Sequence, residues 1–252
     1  MIEVRNISKS FDGDPVLRDI SISFEQGKTN LIIGKSGSGK TVLLKCIIGL
    51  HEVDNGEIFY SGESFTAMNV KAKKEIRQKF GMLFQGAALF DSLSVEENVR
   101  FKLDMFTRMN RLEKKKRVDF CLERVNLGNK NSLYPAELSG GMKKRVAIAR
   151  AIVLNPRYLF CDEPNSGLDP QTAILIDQLI KDITEEFNMT TIVNTHDINS
   201  VMEIGEKVVF IDNGQKWWEG TNMEILKTEN QELNDFLFAN KMVRRLKEID
   251  DI

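Results

Sequence analysis

Cysteine, histidine and long apolar runs are scarce in this chain, and each scarcity excludes something. Three cysteines, Cys46, Cys121 and Cys161, stand far apart in apolar company within 252 residues. An odd, scattered set argues against a disulfide framework and predicts a reducing compartment. No two of them have metal-ligand spacing, and there are only two histidines. No apolar run reaches the roughly 18 residues that a membrane span needs. The start, Met1-Ile2-Glu3-Val4-Arg5, lacks the apolar core of a signal peptide. Excess charge is missing too: 35 basic residues face 37 acidic ones, a formal charge of −2. That excludes a bulk nucleic-acid binder, whose domain would be basic. There is no internal repeat and no low-complexity linker. With 42% hydrophobic and 29% charged residues, the chain suits one large α/β domain, or a domain with a lobe, and has ample core.

Periodicity predicts the elements. Ile2, Val4 and Ile7, then Ile20, Ile22 and Phe24, alternate as strands around the turn Asp12-Gly13-Asp14-Pro15. Asp54-Asn55-Gly56 leads into Ile58 and Tyr60 in the same way. These read as a small antiparallel sheet built around the strand Thr29–Ile33. From about residue 66 the pattern is helical and charged. Two basic runs, Lys71 to Lys79 and Arg111 to Arg117, read as solvated helix faces, since acidic residues balance them overall. Between them Phe80–Gln85 reads as a strand ending in a polar amide. Residues 86–98 are apolar without a period, either a packed loop or a docking surface. Helix continues to about residue 154. Tyr158–Pro164 is an apolar strand carrying Asp162 and Glu163 at its end. Asp169-Pro170 opens a helix, with Ile176, Leu179, Ile180, Ile183 and Phe187 at helical spacing. The strand Thr190–Thr195 ends at His196, and Asn213-Gly214 turns a last hairpin. Beyond residue 221, Leu233, Phe236, Leu237, Val243 and Leu246 have helical spacing with a gap at Asn240. Strands alternating with helices imply a mostly parallel sheet with ligands at the strands' carboxyl ends.

Gly34-Lys35-Ser36-Gly37-Ser38-Gly39-Lys40-Thr41 fits the phosphate-binding loop G-x-x-x-x-G-K-[ST], and it lies between a predicted strand and a predicted helix. Gly34, Gly37 and Gly39 let the backbone wrap so that amides, those of Ser36 and Ser38 included, point at phosphates. The helix start adds partial positive charge. Lys40 would bridge the β- and γ-phosphates and Thr41 would offer its hydroxyl to Mg²⁺. Asp162 closes a strand downstream, where such an ATPase needs an acid for Mg²⁺. Glu163, next to it, is placed to polarise a water. A second glycine-rich helix start follows a different rule. Leu138-Ser139-Gly140-Gly141-Met142 precedes Lys143, Lys144 and Arg145, whose charges oppose the helix dipole by a few tenths of a kcal/mol each. A bound anion would relieve this. A second phosphate cradle suggests two chains meeting head to tail around shared nucleotides.

In this order the motifs resemble the nucleotide-binding subunit of an ATP-binding-cassette (ABC) transporter: Gly34–Thr41, Gln85, Leu138–Met142, Asp162 and Glu163, Ser166-Gly167-Leu168-Asp169, and His196. The resemblance covers nearly the whole chain. It implies a P-loop NTPase core with a mostly parallel sheet, a small antiparallel β-subdomain and a helical subdomain. The cassette would run over residues 1–220, its helical subdomain over about 86–155, with a helical extension at 221–252. Phe11 would stack on adenine, where tyrosine is commoner. Gln85 would sense the γ-phosphate and Mg²⁺ and signal to a membrane partner. Ser139, Gly140 and Gly141 would close over the γ-phosphate at the other subunit's Lys40. Asp169 would touch that subunit near its P-loop, and His196 would hold the γ-phosphate and the attacking water. ATP and Mg²⁺ would be the cofactors, and Thr41, Gln85 and Asp162 the metal contacts.

Met142 departs from the usual glutamine and leaves the backbone donors intact. Together with residues 82–99, Leu-Ser-Gly-Gly-Met is similar to the ATPases of Mla/MCE-type transporters, which move phospholipids or other lipids. That similarity implies a homodimer, a separate permease receiving residues 86–98, an MCE-type lipid-binding protein, a small accessory subunit and no nucleic acid. It implies a peripheral place on the inner face of the bacterial cytoplasmic membrane. The tail would pack on its own domain or dock on a partner. An ABC ATPase serving a soluble assembly such as an iron–sulfur cluster builder, an importer ATPase for another substrate, and a plain P-loop kinase are the alternatives. The signature and the Asp-Glu pair oppose the kinase.

Overall fold

A computed structural model describes residues 1–237. In chain order the elements begin with β1 (Ile2–Phe11), β2 (Asp14–Phe24), β3 (Thr29–Ile33), α1 (Lys40–Ile47), β4 (Asn55–Tyr60) and β5 (Glu63–Ser64). Next come α2 (Val70–Arg77), β6 (Phe80–Leu83), α3 (Val95–Phe106), α4 (Arg111–Arg124), α5 (Gly140–Ile152) and β7 (Tyr158–Asp162). The last are α6 (Pro170–Glu186), β8 (Thr190–Thr195), α7 (Ile198–Ile204), β9 (Lys207–Asp212), β10 (Gln215–Gly220) and α8 (Gln231–Leu237). The chain divides into two compact units. One holds residues up to Glu25, Thr29–Met68 and Asn194 onward; the other holds Gln26–Lys28 and Asn69–Val193.

In the first unit an antiparallel sheet has the order β2-β1-β4-β5. Ile2 lies opposite Phe24 and Tyr60, and Val4 opposite Ile22 and Ile58. The alternation therefore sends one row of side chains inward, and all six are buried. The Tyr60 hydroxyl donates to the carbonyl of Ile47 at 2.7 Å, tying this sheet to the end of α1. Gly56 is required here, since a Cβ would lie 2.4 Å from the carbonyl oxygens of Arg5 and Asn6. The expected antiparallel sheet forms, but not around β3. That strand runs parallel to β9, with Leu31 opposite Val208 and Ile33 opposite Phe210. β9 in turn pairs antiparallel with β10 across the turn Asn213-Gly214, both residues left-handed (φ 48° and 74°) as a two-residue hairpin requires. All five β3 residues are buried. A strand covered on both faces shows no alternation, so sequence could not assign its neighbours. In the tail, Leu233 and Leu237 are buried, and the Phe236 ring lies 5.4 Å from that of Phe210. Asn240, Val243 and Leu246 lie outside the described residues.

In the second unit β7 lies between β8 and β6. β6 and β7 are parallel, Phe80 opposite Tyr158 and Leu83 opposite Cys161. Helix α5 is buried from Val146 to Ile152 on nearly every side, a stretch that is apolar except for Arg150. Its alanines let neighbours approach closely. α3 and α4 start with reciprocal capping boxes, Ser94 with Glu97 and Asn110 with Glu113. α3 therefore begins at Val95, inside the segment expected to be loop. Asn98, fully buried, organises the rest. Its amide nitrogen donates to the carbonyls of Phe90, Leu93 and Ser94 at 3.1, 2.9 and 3.0 Å, and its oxygen accepts from the Phe90 amide at 2.8 Å. No described helix is long and apolar enough to cross a membrane.

Candidate nucleotide-binding and hydrolysis site

The P-loop joins β3 to α1 within the first unit. Gly34 has φ +151°, and a Cβ there would fall 2.0 Å from the Ile211 carbonyl oxygen and 2.8 Å from Ser38 Oγ. Gly37 and Gly39 have φ +80° and +105°, a left-handed backbone that glycine adopts without strain. Nothing lies within 4 Å of a Cβ at Gly37, so the loop tip is open. Lys40 is only 6% exposed. Its ammonium donates to the carbonyls of Gly34 at 2.7 Å and Lys35 at 2.9 Å, inside the curl of the loop. Ser38 Oγ is buried with no hydrogen-bond partner, which leaves a donor for a ligand. α1 has no acidic residue in its first turn and no side-chain cap at Gly39. Glycine curl, buried ammonium, orphaned hydroxyl and uncapped helix start together fit a polyphosphate tail.

Phe11 ends β1 with its ring 39% exposed. It meets His51 edge to face at 5.1 Å, and Lys9 Nζ lies 5.3 Å from its centroid. Lys9 is held by Asp54 at 2.7 Å. His196 is exposed just beyond β8, followed by Asp197, which caps α7 through Asn199.

In the second unit Asp162 ends β7, and Glu163 follows with φ +49°. A left-handed backbone at a non-glycine residue costs about 1–3 kcal/mol and marks a site where surroundings impose it. The Gln85 amide donates to Ser166 Oγ at 3.4 Å. Ser139 caps α5, accepting from the Met142 amide at 3.3 Å, and both Ser139 and Gly140 are exposed. Gly141 has a nearer reason than anion approach: its Cβ would lie 2.5 Å from Thr172 Cγ2 on α6. Asp169 caps α6 through the Thr172 amide at 3.0 Å, and hydrogen bonds from Thr172 hold its carboxyl below the usual range. Cys161, between these residues and the core, is buried outright, and burial pushes its thiol far up, so it stays protonated and inert.

Two buried cations near these residues escaped sequence reasoning. Lys144 is 4% exposed and donates to the carbonyls of Gln85 and Glu163. One of the three charges expected to oppose the α5 dipole is therefore satisfied within the chain, without a bound anion. Arg150 is 7% exposed and donates to the carbonyls of Ala87 and Ala88, each at 2.7 Å. Both alanines are left-handed, φ 61° and 49°. Only the cation-rich run at Lys143–Arg145 hinted at the first; nothing hinted at the second. Among the described residues no group of three or more His, Cys, Asp and Glu side chains could hold a metal alone. Mg²⁺ in phosphoryl-transfer sites is held by one or two carboxylates with phosphates and waters.

The fold and this site define a nucleotide-hydrolysing P-loop cassette that takes ATP with Mg²⁺. A family model described as ABC transporter matches residues 17–166, and the chain belongs to that family. It is 38% identical over 243 residues to a methionine import ATP-binding protein, MetN, of Clostridioides difficile, covering 96% of this chain and 75% of that protein. It is 34% identical over 241 residues to a protein of Mycobacterium leprae described as a probable ribonucleotide transport ATP-binding protein, mkl, covering 96% and 70%. A solved ATP-binding cassette, a dimer in a post-hydrolysis state bound to ADP and Pi, superposes with a TM-score of 0.80 at 32% identity, covering 88% of this chain and 99% of that one.

Proposed function

We propose that the chain hydrolyses ATP as one half of a two-subunit sandwich and so drives a separate membrane permease. The observation that carries this is the P-loop curl around the buried Lys40 at the uncapped start of α1, to which the exposed Ser139 and Gly140 at the start of α5 add a second glycine-opened helix start. Lys40 and the amides of Gly34, Ser36, Gly37, Ser38 and Gly39 hold the phosphates, and Phe11 stacks on adenine. Thr41, Gln85 and Asp162 would hold Mg²⁺, which supplies positive charge against the phosphate oxygens. Glu163 orients the attacking water and takes its proton; His196 steadies water and γ-phosphate. Ser139, Gly140 and Gly141 close over the γ-phosphate of the opposite subunit, near which Asp169 also lies. The cassette occupies residues 1–220, its helical subdomain about 86–155, and 221–252 form an extension.

Residues 86–98 receive the permease, and the protein sits on the inner face of the cytoplasmic membrane. Exposed Phe84, Phe90, Phe101, Met105 and Phe106 support an apolar partner surface beside that loop. Two readings of the cargo stand. The relatives' names favour methionine or a ribonucleotide. The likeness of residues 82–99 and 138–142 to Mla/MCE-type ATPases favours a phospholipid and an MCE-type partner, which those names do not support. Affinity capture from detergent-solubilised membranes with Glu163→Gln and ATP separates them. A permease with an MCE-type protein selects lipid; a permease with a solute-binding protein selects import of a small solute. Capture of soluble partners alone overturns transport.

A further inference from the structure

The signature helix holds the loop after Gln85 and the backbone of Glu163 at the same time, through one buried cation. Lys144 lies one turn into α5, is 4% exposed, and reaches the Gln85 carbonyl directly and the Glu163 carbonyl at 3.4 Å. Burying an ammonium is costly unless it is hydrogen-bonded and near opposite charge. The carboxylates of Asp162 and Glu163 supply that charge, while burial pushes the Lys144 ammonium below its usual range.

The backbones held are not relaxed ones. Glu163 is left-handed at φ +49°, so its carbonyl points where an extended strand end would not send it. Ala87 and Ala88, two and three residues beyond Gln85, are left-handed as well, and Arg150 of the same helix donates to both of their carbonyls. Such conformations persist only where the surroundings over-determine them. The Ser166 amide donates to the Glu163 carbonyl at 3.2 Å, and two cations of α5 supply the remaining hold on these backbones. An apolar side chain at position 144 would fill the space equally well and would hold neither carbonyl.

We propose that Lys144 is a positioning residue for hydrolysis: its ammonium ties the carbonyls of Gln85 and Glu163 together and so sets where the two side chains point. This rests on the roles proposed above for Gln85 and Glu163. It also gives the signature a mechanical consequence. Ser139–Gly141 begin α5, so whatever displaces that helix start carries the ammonium, and with it both tethered carbonyls.

The test uses the full chain with Lys144→Met, which keeps length and loses every donor, and Lys144→Arg, which restores donors. Turnover, KM for ATP, melting temperature and amide exchange across residues 85–88 are measured together. Lys144→Met should lose about ten- to a hundredfold in kcat, as expected for misplaced reacting groups, with KM changed by less than about twofold. Exchange at 85–88 should accelerate, and Lys144→Arg should recover most of both. Wild-type kcat and exchange in Lys144→Met, with Glu163→Gln inactive, overturn the proposal alone. A loss that follows melting temperature and persists in Lys144→Arg also overturns it. Normal hydrolysis by Glu163→Gln overturns the role of Glu163 and the proposal with it.

Discussion

Asn98 and Phe90 exchange two hydrogen bonds: the Asn98 oxygen accepts from the Phe90 amide at 2.8 Å, and its nitrogen donates to the Phe90 carbonyl at 3.1 Å. One buried side-chain amide thus substitutes for the secondary structure that residues 86–94 lack. Asn98→Ala should lower stability by about 2 kcal/mol, because buried backbone groups lose their partners. Urea unfolding measures it. An unchanged midpoint would mean that the loop is held by other contacts.

Arg150 performs the same task from further along the chain. Arg150→Met leaves the carbonyls of Ala87 and Ala88 without their charged donor and should cost about 2–4 kcal/mol. The left-handed alanines should then relax. Replacing Ala88 with glycine in that background should regain part of the loss, since glycine tolerates φ +49°. No recovery in the double variant would separate the two effects.

Gly141 and Thr172 make a packing prediction. A Cβ at 141 would meet Thr172 Cγ2 at 2.5 Å. Gly141→Ala should therefore destabilise by about 1–3 kcal/mol, although alanine is otherwise the better helix former. Thr172→Ser removes the offending methyl and should rescue it. If Gly141→Ala stabilises the protein in the absence of Thr172→Ser, the α5–α6 contact is not that tight.

Lys102 carries a pH prediction. Burial and the neighbouring Arg150 cation lower it to about 8. Near neutral pH it is charged in both folded and unfolded protein, and the burial penalty is fully present. Between about pH 8 and 10.5 the folded form loses the proton first, so the unfolded state binds more protons and stability rises with pH. Lys102→Met should flatten that rise and stabilise the protein at pH 7, by an amount on the order of 1–3 kcal/mol. Unfolding free energies of both proteins across this range decide it. Parallel curves would show that Lys102 stays solvated.

What the sequence reveals here is what local chemistry writes. The P-loop, the Ser139 and Asp169 caps, the strand end at Asp162 and the Asn213-Gly214 turn each follow from residues within a few positions of one another. The capping box Ser94-x-x-Glu97 was equally readable and would have placed the start of α3. Partners distant in sequence are a different matter. β3 pairs with β9 nearly 180 residues away, and its all-apolar run names no neighbour. Lys144 reaches back 59 residues to Gln85, and Arg150 reaches 62 to Ala88. A lysine in a basic run and an arginine in an alanine-rich helix look like surface residues until the fold buries them.

The central claim is that Glu163 completes hydrolysis in a closed two-subunit sandwich. Glu163→Gln should bind ATP, lose turnover by at least about a hundredfold, and accumulate as an ATP-loaded dimer by size exclusion with light scattering. The wild type should return to monomer as ATP is consumed. A Glu163→Gln protein that stays monomeric with ATP and hydrolyses it at the wild-type rate would contradict both the role of Glu163 and the sandwich.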